Sequence, residues 1–100
     1  MIRHVVLWKL KDFAEGKTKE ENQKIIRDSL LALPAKIPQI RRMEVGFDFS
    51  ATDASMDLLL LSEFDTKKDL QIYAVHPEHL AVAAYVKKVV ETRMVLDCEI

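Results

Sequence analysis

The stretch IRHVVLWKL, Ile2 to Leu10, decides the fold. Its β-branched and aromatic content marks a strand, and the two-residue period of a strand sorts the side chains into two faces. Ile2, His4, Val6, Trp8 and Leu10 share one face, and Arg3, Val5, Leu7 and Lys9 share the other. Both faces are apolar in the middle. A strand of this kind is covered on both sides, so helices must lie on one face and a second layer on the other.

The rest of the chain supplies partners for this strand. IRRMEVGFDF, Ile40 to Phe49, reads as a second strand, in which Gly46 marks a bulge or a close backbone approach. SATDAS, Ser50 to Ser55, is a polar turn, and MDLLLLSEF, Met56 to Phe64, is a third strand whose Leu58–Leu61 run again demands cover on both faces. TRMVLDCEI, Thr92 to Ile100, is the fourth.

Between the strands the period changes to that of helices. TKEENQKIIRDSLLAL opens on Thr18 with Glu21 three residues on, the capping-box spacing. Ile26, Leu30 and Leu33 then recur at helical spacing, Ile25 widens the stripe, and Pro34 and Pro38 close the segment. DTKKDLQIYAV places Asp65 as the N-cap of a second helix with Leu70 and Tyr73 three apart. HPEHLAVAAYVKKVV starts another helical piece with Leu80, Ala83 and Ala84 at helical spacing and Val86, Val89 and Val90 beyond.

The order is therefore β-α-β-β-α-β, an α+β domain over residues 1–100 with helices covering one face of a four-stranded antiparallel sheet. The opposite face keeps Val5, Leu7, part of the Leu58–Leu61 run and the last strand. Monomers rarely expose so large an apolar patch, so the sequence predicts a homodimer in which two sheets meet.

Composition narrows the function. The 15 basic and 16 acidic residues give a net charge of −1, without the clustered basic excess of a nucleic-acid binder. The pairs Lys67-Lys68 and Lys87-Lys88 read as solvated helix faces. Cys98 is the only cysteine, and no Cys/His cluster has zinc-site spacing. The N-terminal apolar run is interrupted by Lys9 and Lys11, and no stretch reaches membrane-spanning length. The expectation is a protein of the reducing cytoplasm with no membrane or nucleic-acid partner.

Several stretches together resemble one family. They are RHVVLWKLK near the start, LPAKIPQI followed by EVGFDFS in the middle, YAVHPEHL, and the closing RMVLDCEI. In this order they are similar to the stress-response A/B barrel domain, also called the dimeric α+β barrel or Dabb family. The resemblance covers essentially all 100 residues. It implies a ferredoxin-like βαββαβ unit that pairs into a dimeric barrel. Plant members are associated with stress responses. One branch, the plant polyketide cyclases, closes a linear poly-β-keto chain by aldol condensation without metal or organic cofactor. By that resemblance Tyr73 matches the catalytic tyrosine, His79 the catalytic histidine, Asp97 the aspartate that orients it, and His4 a further pocket histidine. A second pocket tyrosine falls at Ile26, so that hydroxyl is missing here.

Each candidate has two readings. His79, two residues after Pro77, lies at the positive end of a helix, which favours the neutral imidazole of a general base. Asp97 could accept its other ring N–H and select the tautomer. A histidine packed on the sheet and tied to Asp97 for structural reasons fits the same pattern. Tyr73 is either a donor to a substrate oxygen or an amphipathic helix residue with its hydroxyl at the rim. His4 is either a satisfied core histidine or pocket lining. His76, at or just before a helix start at Pro77, reads as punctuation. A metal drawing on His4, His76, Glu78 and His79 finds little support, because the proline in HPEH breaks the continuous helix that an HExxH site needs.

The expected protein thus holds a small apolar or aromatic ligand in a pocket lined by His4, Tyr73, His79 and Asp97, with no cofactor. Three activities fit that frame: binding without turnover, a polyketide cyclase-like reaction, and quinol-type monooxygenase chemistry on a similar barrel, the last without motif support.

Overall fold

In the computed structural model, which describes residues 1–100, Ile2–Leu10 forms β1 at the interior of a four-stranded sheet. Arg42–Phe47 is β4, Leu58–Phe64 is β5 and Val90–Glu99 is β6; the order is β4-β5-β1-β6 and every pairing is antiparallel. This is a ferredoxin-like α+β fold. Helices α1 (Lys19–Leu31), α2 (Lys67–Val75) and α3 (Pro77–Val89) lie on one face. Against Val6, Trp8, Leu58, Leu60 and Phe64 of the sheet they bury Ile26, Leu30, Tyr73, Val86 and Val89 in one core.

The sequence signals for α1 hold in detail. Thr18 Oγ1 accepts the Glu21 N–H at 3.2 Å, and the Glu21 carboxylate accepts the Thr18 N–H at 3.1 Å. The Thr18 N–H and hydroxyl, both donating to it, hold the Glu21 carboxyl below its ordinary range. After Leu31 the chain tightens into a 3₁₀ turn, Leu33–Ala35, with Pro34 inside it. Before α1 stands a small hairpin absent from the sequence reading: β2 (Phe13–Ala14) and β3 (Lys17–Thr18). It turns through Glu15 and Gly16, both at positive φ, as a two-residue hairpin of the primed type requires. Fully buried Asn22 fastens it: its Nδ2 donates to the Ala14 carbonyl, and its Oδ1 accepts the Tyr85 hydroxyl of α3 at 2.6 Å.

Four local expectations are corrected. The N-cap of α2 is Thr66, whose Oγ1 accepts the Asp69 N–H, because the Asp65 carboxylate is engaged by Arg41 at 2.8 Å. Gly46 makes neither a bulge nor a close approach: its ladder to Leu59 is regular, and a Cβ there would meet nothing within 4 Å. On α3 the covered stripe is Val82, Val86 and Val89, while Leu80 and Ala84 face outward. Val90 already belongs to β6, which follows α3 without a loop and begins two residues before Thr92.

The second apolar face is where the sequence placed it. Val5 lies across from Leu61 and Leu96, and Leu7 from Leu59 and Met94, so these six form one surface. Met94 and Leu96 are 57% and 63% exposed. The helices also stop short of β6 on their own side, leaving Val95 half exposed. No helix is long and apolar enough to cross a membrane.

Candidate functional site

The site begins with a broken helix. In a continuous helix the Glu78 N–H would donate to the Ala74 carbonyl four residues back. Pro77 occupies the first position of α3, and His76 in extended conformation ends α2 and caps α3. The separated donor and acceptor are each taken by a histidine. The Glu78 N–H donates to His76 Nδ1 at 3.1 Å, and His79 Nδ1 donates to the Ala74 carbonyl at 3.0 Å. The second bond fixes the hydrogen on Nδ1 and leaves Nε2 of neutral His79 as a proton acceptor. Burial lowers the His79 pKa, and the charges of His4, Arg93 and His76 lower it further against the opposing pull of the Ala74 bond. His79 is therefore held neutral, with Nε2 free to accept a proton.

The break also turns His79 back over Tyr73. Their ring centroids are 4.3 Å apart, and the Tyr73 ring meets His4 at 6.3 Å and Phe64 at 5.1 Å. Tyr73 is 1% exposed and its hydroxyl has no protein partner. Burial pushes its pKa far up, against the opposing charge of Arg93, so the phenol stays protonated and can only donate or accept as O–H.

The rings of His4, Tyr73 and His79 stand in the wall of a cavity of about 300 Å³ between sheet and helices. His4, Trp8, Tyr73, His79, Lys87 and Arg93 contribute its polar groups, and Val6, Leu30, Leu60 and Val86 are among its apolar ones. Three of the four expected site residues, His4, Tyr73 and His79, are thereby brought together.

Asp97 is the exception. Its carboxylate accepts from His4 Nδ1 and it does not line the cavity. The register explains this: Asp97 lies directly across from His4 on neighbouring strands, whereas His79 is on a helix and has already taken the Ala74 carbonyl. Asp97 therefore sets the ring of His4, and the broken helix sets the ring of His79. Ile26, where the resemblance calls for a second pocket tyrosine, is fully buried core and not cavity wall. No group of three or more His, Cys, Asp or Glu side chains is placed to hold a metal ion.

The sequence reading missed Trp8, Lys87 and Arg93 as wall residues. Trp8 read only as a member of one strand face, yet its buried indole N–H has no protein partner. Lys87 read as part of a solvated face. Arg93 could have been found from the strand period, since it shares a sheet face with Asp97 four residues on.

The family model described as the stress responsive A/B barrel domain matches residues 2–100. The chain belongs to the stress-responsive A/B barrel domain family. A similar solved structure is that of a dimeric protein of unknown function and ferredoxin-like fold from Bacteroides fragilis. It is 34% identical with a TM-score of 0.84, over 99% of this chain and 95% of that one. A dimeric ferredoxin-like protein from Thermobifida fusca, also of unknown function, is 22% identical with a TM-score of 0.84, over 99% and 90%. The hydroxynitrile lyase of Passiflora edulis is 18% identical with a TM-score of 0.82, over 97% and 90%. At these last two identities the likeness is one of fold. No curated protein matches the chain at significant similarity.

Proposed function

We propose that this A/B barrel protein is a homodimer that binds a small apolar or aromatic carbonyl compound in the cavity and performs acid–base chemistry on it without a cofactor. The observation that carries the reading is the Tyr73–His79 pair, 4.3 Å between rings, on the wall of an apolar cavity. His79 Nε2 takes a proton from the carbon α to the carbonyl. The electron pair moves onto the carbonyl oxygen, and the Tyr73 O–H donates to the enolate oxygen so formed. The proton then returns to carbon, or the enolate carbon attacks a second carbonyl of the same molecule, as in a polyketide cyclase-like aldol closure. His4, held by Asp97, supplies a third polar group. The Passiflora hydroxynitrile lyase shows that this fold can carry an enzyme, so a catalytic role is compatible with it. The dimeric relatives and the uncovered apolar sheet face support the homodimer.

The test is exchange of the α-hydrogens of 4-phenyl-2-butanone in deuterated buffer, followed by proton NMR. The wild-type protein should accelerate exchange. His79→Asn, whose amide N–H takes the place of Nδ1–H at the Ala74 carbonyl but supplies no base, should lose about 10²–10⁴-fold while its circular dichroism stays unchanged. Equal rates in the two folded proteins would remove the base from His79 and leave a binding protein.

A further inference from the structure

Five arginines stand in this chain. Four of them pair with carboxylates: Arg3 with Glu63, Arg27 with Asp28, Arg41 with Asp65 and Arg42 with Glu44. Arg93 has no ion pair and no side-chain hydrogen bond, and neither has Lys87. Both are at the exposed rim of the same cavity, Arg93 on β6 across from Trp8 and Lys87 in the last turn of α3. No aspartate or glutamate lines that cavity.

The buried wall has the same polarity. The Trp8 indole N–H, which can only donate, and the Tyr73 hydroxyl are the two buried side-chain groups of the chain without a partner, and both residues line this one cavity. Buried polar groups are normally paired, and an unpaired donor is costly to the fold. A wall of unpaired donors with two free cations at its rim is complementary to a ligand rich in acceptor oxygens and carrying negative charge. The charge of Arg93 also reaches both working rings, opposing burial at Tyr73 and adding to it at His79.

We propose that the compound this cavity takes is a carboxylate on an apolar or aromatic body, with Arg93, helped by Lys87, receiving the carboxylate at the rim. The proposal rests on the pocket reading above and names its ligand class. A guanidinium fork receives a carboxylate through two parallel N–H bonds, which gives orientation as well as attraction. The body then lies inward along Val6, Leu60 and Val86, and the carbonyl oxygen it carries in the reading above meets Tyr73 and His79. At the roughly 30 Å³ that a water molecule occupies, the cavity suits about ten non-hydrogen atoms, the size of a phenyl ring with a short acidic chain.

The experiment compares 3-phenylpropanoate with its neutral isostere 3-phenylpropanamide, titrated at low, constant ionic strength. Trp8, the only tryptophan of the chain, reports through its emission because it is part of the wall. The acid should bind at least about tenfold tighter than the amide. Arg93→Gln should remove that preference without weakening the amide, and Arg93→Lys should restore part of it. Equal binding of acid and amide to the wild-type protein overturns the anion-receiving role while leaving the apolar pocket intact. Failure of both to bind overturns the pocket itself. If Arg93→Gln instead dissociates the dimer and the preference for acid survives, the guanidinium serves the subunit interface and the proposal is wrong.

Discussion

At the scale of the residue, Tyr73 carries the account. Its ring is core, packed on Phe64 and His79, and a phenylalanine would fill that space equally well. Only the hydroxyl needs another explanation, because it is sealed from solvent and bonded to nothing in the protein. A buried hydroxyl left unpaired weakens a fold, and replacing it by hydrogen is neutral or stabilising. Residues that weaken the fold in this way concentrate where function requires them. Asp97 teaches the converse. The resemblance tied it to His79, and the sheet register ties it to His4. Sequence identity at a position transfers a residue type, but its partner is set by which atoms the backbone brings within reach.

At the scale of the element, the break between α2 and α3 organises the site, and its two histidines divide the work. His76 closes the gap from one side and touches nothing in the cavity, so it should be separable from function. His76→Ala is expected to cost about 1 kcal/mol in denaturant unfolding, the scale of a lost N-cap, while α-hydrogen exchange stays within about twofold of wild type. A large loss of exchange with intact stability would place His76 in the chemistry instead. The break itself was legible, because a proline cannot continue a helix. The capping box at Thr18 and Glu21 was legible for the same local reason. Asn22 was not. Nothing near it in sequence announces that a helical asparagine will bridge a two-residue hairpin to Tyr85, 63 positions away, since its burial depends on how three elements dock. The rotation of α3, which exposes Leu80 and hides Val82, escaped for a similar reason: alanine and valine surround the helix and leave its stripe ambiguous.

At the scale of the whole molecule, one sheet carries two apolar faces, and the chain has helices for only one. Val5, Leu7, Leu59, Leu61, Met94 and Leu96 form the remaining surface. This much followed from the alternation in β1 and the Leu58–Leu61 run. Sedimentation velocity at micromolar concentration should give twice the 11.5 kDa chain mass, and Leu96→Asp, which adds a charge to that face, should shift the protein to monomer. A wild-type monomer would contradict the pairing of two sheets. The cavity faces the other way, between sheet and helices, and its unpaired donors weaken the whole fold as long as no ligand engages them. The most direct test of that claim is the unfolding free energy of wild type and Tyr73→Phe, with and without saturating 4-phenyl-2-butanone, whose carbonyl oxygen can accept from the hydroxyl. We predict that the variant is at least as stable as wild type alone and gains less from the ligand. A variant less stable by about 1 kcal/mol or more without ligand, and stabilised by it as much as wild type, would show that the hydroxyl serves the fold and would contradict the account.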